Sequence, residues 1–98
     1  MGETDDFEWD DPKDAINRGK HGLPLLLAAL LFEDEERLEA VSRSSTDAET
    51  RLIATGQAAG RVLTCVFVWR GARRRVISLR LASRKERRAY ERATRSGQ

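Results

Sequence analysis

The succession of hydrophobic patterns along the chain predicts an α+β fold. The sheet is expected to be an antiparallel meander of three to four strands plus a short amino-terminal strand. Two amino-terminal helices and one carboxyl-terminal helix are expected to pack on one of its faces. Three observations carry this. The runs "TRLIATGQ", "RVLTCVFVWR" and "RRVISLRL" alternate with strand period and are joined by "AAG" and "GAR", short enough for hairpin turns. The segment before them has helical spacing punctuated by Pro12, Gly22 and Pro24. After them, "SRKERRAYERATR" opens with Ser83 and Glu86, an S-x-x-E capping box.

Residues 1–6, "MGETDD", are small and acidic and are expected to fray. "FEWD" alternates aromatics with carboxylates, as an edge strand does when Phe7 and Trp9 face inward. An Asp before Pro12 starts a helix over about 11–21, which Lys20, His21 and Gly22 end with two cations and a glycine. A second helix, about 23–32, opens with Pro24 and consists almost wholly of leucine and alanine, so it is the expected core helix. The acids of "EDEE" are unfavourable at a helix carboxyl end and predict a turn; magnesium binding is a weaker reading of the same four residues. "RLEAVSR" then alternates as a strand and "SSTDAE" is a loop. Glu86, Ala89, Tyr90 and Ala93 share one side of the last helix.

Charge is polarised beneath a formal net charge of only +2. Residues 1–50 hold 14 acids and 5 bases, and residues 51–98 hold 2 acids and 13 bases, twelve of them arginine. Such a basic half fits a polyanion, and the guanidinium fork matches phosphate better than an ammonium does. The 98 residues make one domain over 1–98, with room for a modest core. A single Cys65, in a strand pattern, implies a buried apolar side chain and a reducing cytoplasm. No signal peptide is visible, and "LPLLLAALLF" is about half the length that spans a bilayer, so no membrane partner is expected.

Most catalytic chemistries lack their parts. One His and one Cys cannot make a zinc site of the usual ligand set, and neither a glycine-rich phosphate loop nor G-x-S-x-G is present. No metal or cofactor is expected. The remaining inventory suits RNA cleavage by its own 2′-hydroxyl: a base takes the 2′ proton, cations stabilise the phosphate oxygens, and an acid protonates the departing 5′ oxygen. Strand parity places Arg51 with Ile53 and Thr55, and Arg80 with Ser78, Val76 and Arg74, leaving Ile77, Leu79 and Leu81 to pack on the helices. Arginines among small polar groups on an open face could hold a phosphate backbone or form a solvated surface. Arg84 and Arg87 are further candidates for RNA contact. For Arg87, spacing leaves solvent and phosphate equally open. His21 and Lys20 are explained by the helix dipole alone, and Glu86 by capping.

"FEWD", "PKDAINRGKHG", "LLFED", "ETRLIATG", "GRVLTCVFVWRG" and "RRRVISLRLASRKERRAYER" together resemble, in order and spacing, the BrnT family of ribonuclease toxins. The resemblance covers about residues 7–92. Its most specific pieces are Lys-His-Gly, the E-x-R of Glu49 and Arg51 with Gly56, and the closing motif of Ile77, Ser78, Arg80, Ala82, Glu86, Arg87 and Tyr90. The resemblance implies a RelE-like toxin that cleaves RNA without a metal and inhibits translation. It also implies a BrnA-type antitoxin partner with a ribbon-helix-helix domain, and operator DNA contacted only through that antitoxin. Carried onto this chain, the implied active-site residues are Lys20, His21, Glu49, Arg51, Arg80 and Tyr90. Two competitors remain: a basic module that binds RNA or DNA without cutting, and an interaction protein whose charges serve only a protein partner.

Overall fold

A computed structural model describes residues 1–96; of the domain expected over 1–98, residues 97 and 98 lie outside the described residues. The chain runs β1 (Gly2–Glu3), β2 (Phe7–Trp9), α1 (Asp11–His21), a 3-10 turn (Leu25–Leu27), α2 (Ala28–Leu31), β3 (Leu38–Val41), β4 (Leu52–Ala58), β5 (Arg61–Arg70), β6 (Arg73–Leu81) and α3 (Arg84–Ser96). The α+β class holds. The strands form one six-stranded sheet in the order β1-β2-β6-β5-β4-β3. β3 to β6 make the expected antiparallel meander, but β2 runs parallel to β6, so the sheet is mixed. The helical crossover between β2 and the meander is what permits a parallel pairing. Within residues 1–6, expected to fray, Gly2 and Glu3 pair with Trp9 and Glu8.

Helix α1 has the predicted limits, and its ends show why. Asp10 is extended, Pro12 lies in the first turn with Asp11 and Asp14, and Gly22 adopts the left-handed conformation (φ 71°) while its N–H donates to the Arg18 carbonyl at 2.8 Å. Its inward face is polar, however. Asn17 Nδ2 donates to the carbonyls of Leu23 and Leu79, both at 2.8 Å, and its Oδ1 accepts from Leu79 N–H at 3.1 Å. Asp14 Oδ1 accepts from Leu25 N–H at 2.7 Å, while Ile16 is left exposed. The helix is thus held to the edge of β6 by hydrogen bonds of the Asn17 side-chain amide. Asp14 also fixes the start of the leucine run, which winds as a 3-10 turn before one α turn, where a continuous helix over 23–32 was expected.

The core lies between α2 and one sheet face, with Leu25, Leu31, Leu63, Cys65, Phe67 and Leu79 fully buried. Cys65 meets its expectation, and burial pushes its thiol far up, away from nucleophilic reactivity. Residues 33–37 turn as the acids predicted, with Arg37 N–H donating to the Asp34 carbonyl. The β4–β5 connection places both Ala59 (φ 52°) and Gly60 (φ 75°) in the left-handed region, as two-residue hairpin turns require.

Two expectations about faces fail together. The β5–β6 register runs Val66 to Ser78 and then Phe67 to Val76, so Ile77 is an extra residue in β6. This bulge reverses the alternation. Val76 joins Leu79 in the core and Leu81 is exposed, while Arg74 and Arg80 point to opposite faces. Helix α3 does not join α1 and α2. Its first turn lies over the other face, where Thr64 Oγ1 donates to Glu86 Oε1 at 3.1 Å.

Candidate nucleic-acid site

The residues singled out by sequence fall in three places. Lys20 and His21 end α1, exposed and without a side-chain hydrogen bond or ion pair among the described residues. The residues that follow them line a groove with Ala58, Ala59 and Arg61, at the β4–β5 turn. Glu49 and Arg51 precede β4 at its other end, about 20 Å away at 3.3 Å per strand residue. Arg80 and Tyr90 belong to the α3 side.

On the α3 side the charges are already matched. Arg80 makes two parallel bonds to Glu86, Nη1 to Oε1 at 2.7 Å and Nη2 to Oε2 at 3.0 Å. Ser83 N–H also donates to Glu86 at 2.8 Å and Ser83 Oγ accepts from Glu86 N–H at 3.1 Å, which completes the capping box. The guanidinium of Arg80, with help from Ser83 and Thr64, holds the Glu86 carboxyl down at about 2 against the cost of burial. Glu86 in turn raises Arg80. Further along, Tyr90 donates to Asp34 Oδ2 at 2.6 Å, and the same oxygen accepts from Gln57 N–H at 2.8 Å. Burial and the Asp34 carboxylate push the Tyr90 hydroxyl to about 12. Burial opposes ionisation of Asp34, yet the bonds from Tyr90 and two backbone N–H groups keep its carboxyl below the usual range. These contacts join α3 to the edge of β4. Arg84 and Arg87 are exposed on α3, with Arg87 4.0 Å from Glu91.

The end of the β5–β6 hairpin is organised differently. Ser45 Oγ accepts from Arg51 N–H at 2.9 Å and donates to its carbonyl at 3.0 Å, and Thr46 exchanges backbone bonds with Glu49. This short loop presents Glu49 and Arg51 beside the hairpin. Arg51 Nε lies 3.0 Å from Glu49 Oε1, and Arg70 Nη2 lies 3.8 Å from Glu49 Oε2. Only Nε of Arg51 is committed, so its Nη1 and Nη2 have no protein partner among the described residues. A cleft of about 430 Å³ opens here, lined by Ala48, Glu49, Thr50, Leu52, Val68, Trp69 and Arg70.

Behind the cleft stands a stack. The Arg74 guanidinium lies 4.2 Å from the Phe32 ring centroid and 4.5 Å from that of Trp69. Phe67 meets both rings edge-on, at 5.0 Å and 6.0 Å. Burial lowers Arg74 from its ordinary value, and its Nε is buried without a hydrogen bond. Beyond Phe32 a second cleft, about 450 Å³, is lined by Asp5, Asp6 and Glu33 as well as Arg74. Three carboxylates outweigh Arg74 and repel a polyanion, so the cleft at Glu49 and Arg70 is the better seat for RNA. Sequence reasoning missed Arg70 and Trp69. The available signal was the end of "VFVWR", where a large aromatic and an arginine meet a hairpin turn.

No helix among the described residues is long and apolar enough to cross a membrane. Comparison with curated proteins gives no significant match. The family described as "Ribonuclease toxin, BrnT, of type II toxin-antitoxin system" matches residues 9–86, a span that includes Glu49, Arg51, Arg70 and Trp69. With most of its length matched, the chain belongs to the BrnT family of ribonuclease toxins of type II toxin–antitoxin systems.

Proposed function

We propose that the chain is an endoribonuclease that cuts RNA without a metal, at the cleft between the 45–51 loop and the β5–β6 hairpin. The observation that supports this most is the pairing of one carboxylate, Glu49, with two incompletely used guanidinium groups, Arg51 and Arg70, on an open surface. Arg51 and Arg70 hold the phosphate and stabilise charge on its oxygens as the transition state forms. Glu49 takes the 2′ proton, the 2′ oxygen bonds to phosphorus, and the bond from phosphorus to the 5′ oxygen breaks. The departing oxygen takes a proton from water. The products are a 2′,3′-cyclic phosphate and a free 5′ hydroxyl.

Arg80 and Tyr90 then serve the frame that carries α3, and Lys20, with His21 beside it, lies at a distance from the reacting phosphate. Arg84 and Arg87 offer phosphate contacts along α3. In the cell the toxin acts in the cytoplasm, inhibits translation, and is neutralised by a BrnA-type antitoxin whose ribbon-helix-helix domain carries the contact with operator DNA.

The test is incubation of the purified chain with end-labelled RNA in excess EDTA, beside the Glu49→Gln protein. Discrete fragments ending in cyclic phosphate, made by the wild type alone, are expected. Cleavage that disappears with EDTA and returns with magnesium would overturn the metal-free mechanism. Intact RNA with a salt-sensitive mobility shift would replace the enzyme with a binding module.

A further inference from the structure

Trp69 has an environment unlike that of the other aromatic side chains in the sheet. It shares the alternation of Phe67, which is fully buried, yet Trp69 is 49% exposed. One face of its indole is covered by the Arg74 guanidinium at 4.5 Å and the ring is met edge-on by Phe67. The exposed half is therefore the opposite face, and Trp69 lines the same cleft as Glu49 and Arg70. Arg74 is itself clamped against Phe32, and its buried Nε has no hydrogen bond. A guanidinium whose purpose was to grip phosphate would turn its fork outward with every N–H usable. Here ring contact takes precedence.

We propose that Trp69 is the nucleobase platform of this cleft, stacking the base of the nucleotide whose phosphate lies against Arg51 and Arg70, and that Arg74 is a positioning residue bracing the indole from behind. The proposal rests on the RNA-cleaving reading of the cleft and adds what holds the base. Aromatic platforms of this kind accept any base, because every base presents a π face. The site thus selects unpaired RNA over duplex, whose bases are stacked on one another and unavailable.

The experiment compares two single-stranded probes of equal length that the enzyme cannot cut, a 2′-O-methyl oligoadenylate and the same backbone without bases. Trp69→Leu is expected to weaken binding of the base-bearing probe by about 5- to 100-fold, leave the abasic probe unaffected, and leave the salt slope unchanged. Trp69→Phe should recover most of the loss. Arg70→Ala should weaken both probes and lower the slope by about 1. Arg74→Lys keeps the charge and loses the planar face, so it should follow Trp69→Leu. A fall of about 1 in the salt slope of Arg74→Gln, which removes the charge, would show instead that Arg74 grips phosphate. In a Trp9→Phe background Trp69 is the sole tryptophan, and the base-bearing probe should quench its emission more than the abasic one.

Unchanged affinity of Trp69→Leu for the base-bearing probe, or no differential quenching on binding, overturns the proposal. If RNA is still cut in EDTA by a Trp69→Leu protein that has lost no affinity, only the platform fails. If the wild type neither binds nor cuts RNA, the reading of the cleft fails with it. Should Trp69→Leu not fold, the Trp9→Phe quenching experiment decides alone.

Discussion

Two glutamate–arginine sets on opposite parts of the sheet show how the same residue types serve different ends. At Arg80 and Glu86 both carboxylate oxygens and both terminal guanidinium nitrogens are engaged, and Ser83 and Thr64 take the remaining acceptor capacity. At Glu49 and Arg51 a single bond of 3.0 Å joins the pair and Arg70 stands off at 3.8 Å. A pair joined by two parallel charge-assisted bonds works as a fastening. An unsaturated pair beside a cleft keeps donors for an incoming phosphate.

The largest expected effect breaks this contrast if it fails. Arg51→Ala should lower RNA cleavage by about 10²-fold or more with a melting temperature close to wild type. Arg80→Ala should do the reverse, keeping activity below its melting temperature while unfolding earlier in urea. If Arg80→Ala loses cleavage at full stability, the α3 side is the active site. Next in size, Glu86→Ala removes the cap acceptor and leaves Arg80 unpaired, for a loss of about 1–3 kcal/mol by urea denaturation. Tyr90→Phe, which leaves Asp34 one donor short, should cost about 1–2 kcal/mol in the same assay.

The Glu86 carboxyl is held at about 2 in the folded chain, from an ordinary 4.5. Its folded value is depressed, so its contribution is full above the unfolded value and disappears as pH falls from about 4.5 towards 2. Urea midpoints should decline over that window in the wild type, and less steeply in Glu86→Gln. A wild-type midpoint that stays flat from pH 5 to 3 would contradict the Arg80–Glu86 fastening. The smallest effects are expected at the end of α1. Lys20→Ala and His21→Ala should each shift stability by no more than about 0.5 kcal/mol, with cleavage retained. Cleavage abolished by either would bring the α1 end into the site.

Legibility followed the range of the interaction. Ser83 and Glu86 could be paired by counting three residues, and the limits of α1 by reading Pro12 and Gly22. Glu49 was singled out through the family resemblance and Arg51 first by strand parity, and Gly56 in the same motif now has a reason. A Cβ there would meet the Arg37 Cβ at 3.0 Å and Asp34 Oδ2 at 3.2 Å. Arg70 and Trp69 escaped because nothing in "VFVWR" says that the 45–51 loop lies beside it. Arg74 was misassigned by strict alternation, which one extra residue in β6 reverses.

By itself the sequence determined the elements whose causes lie within a turn or two of chain: caps, hairpin turns, strand period, the acidic turn and the uneven charge of the two halves. Tertiary structure alone decided the parallel pairing of β2 with β6, the amide anchoring of α1 through Asn17, the bulge at Ile77, and the passage of α3 to the other face. The reason is physical. Helix caps and turns are satisfied by neighbours a few residues away, whereas register, bulges and the choice of face depend on backbone groups from distant segments finding partners in the same place.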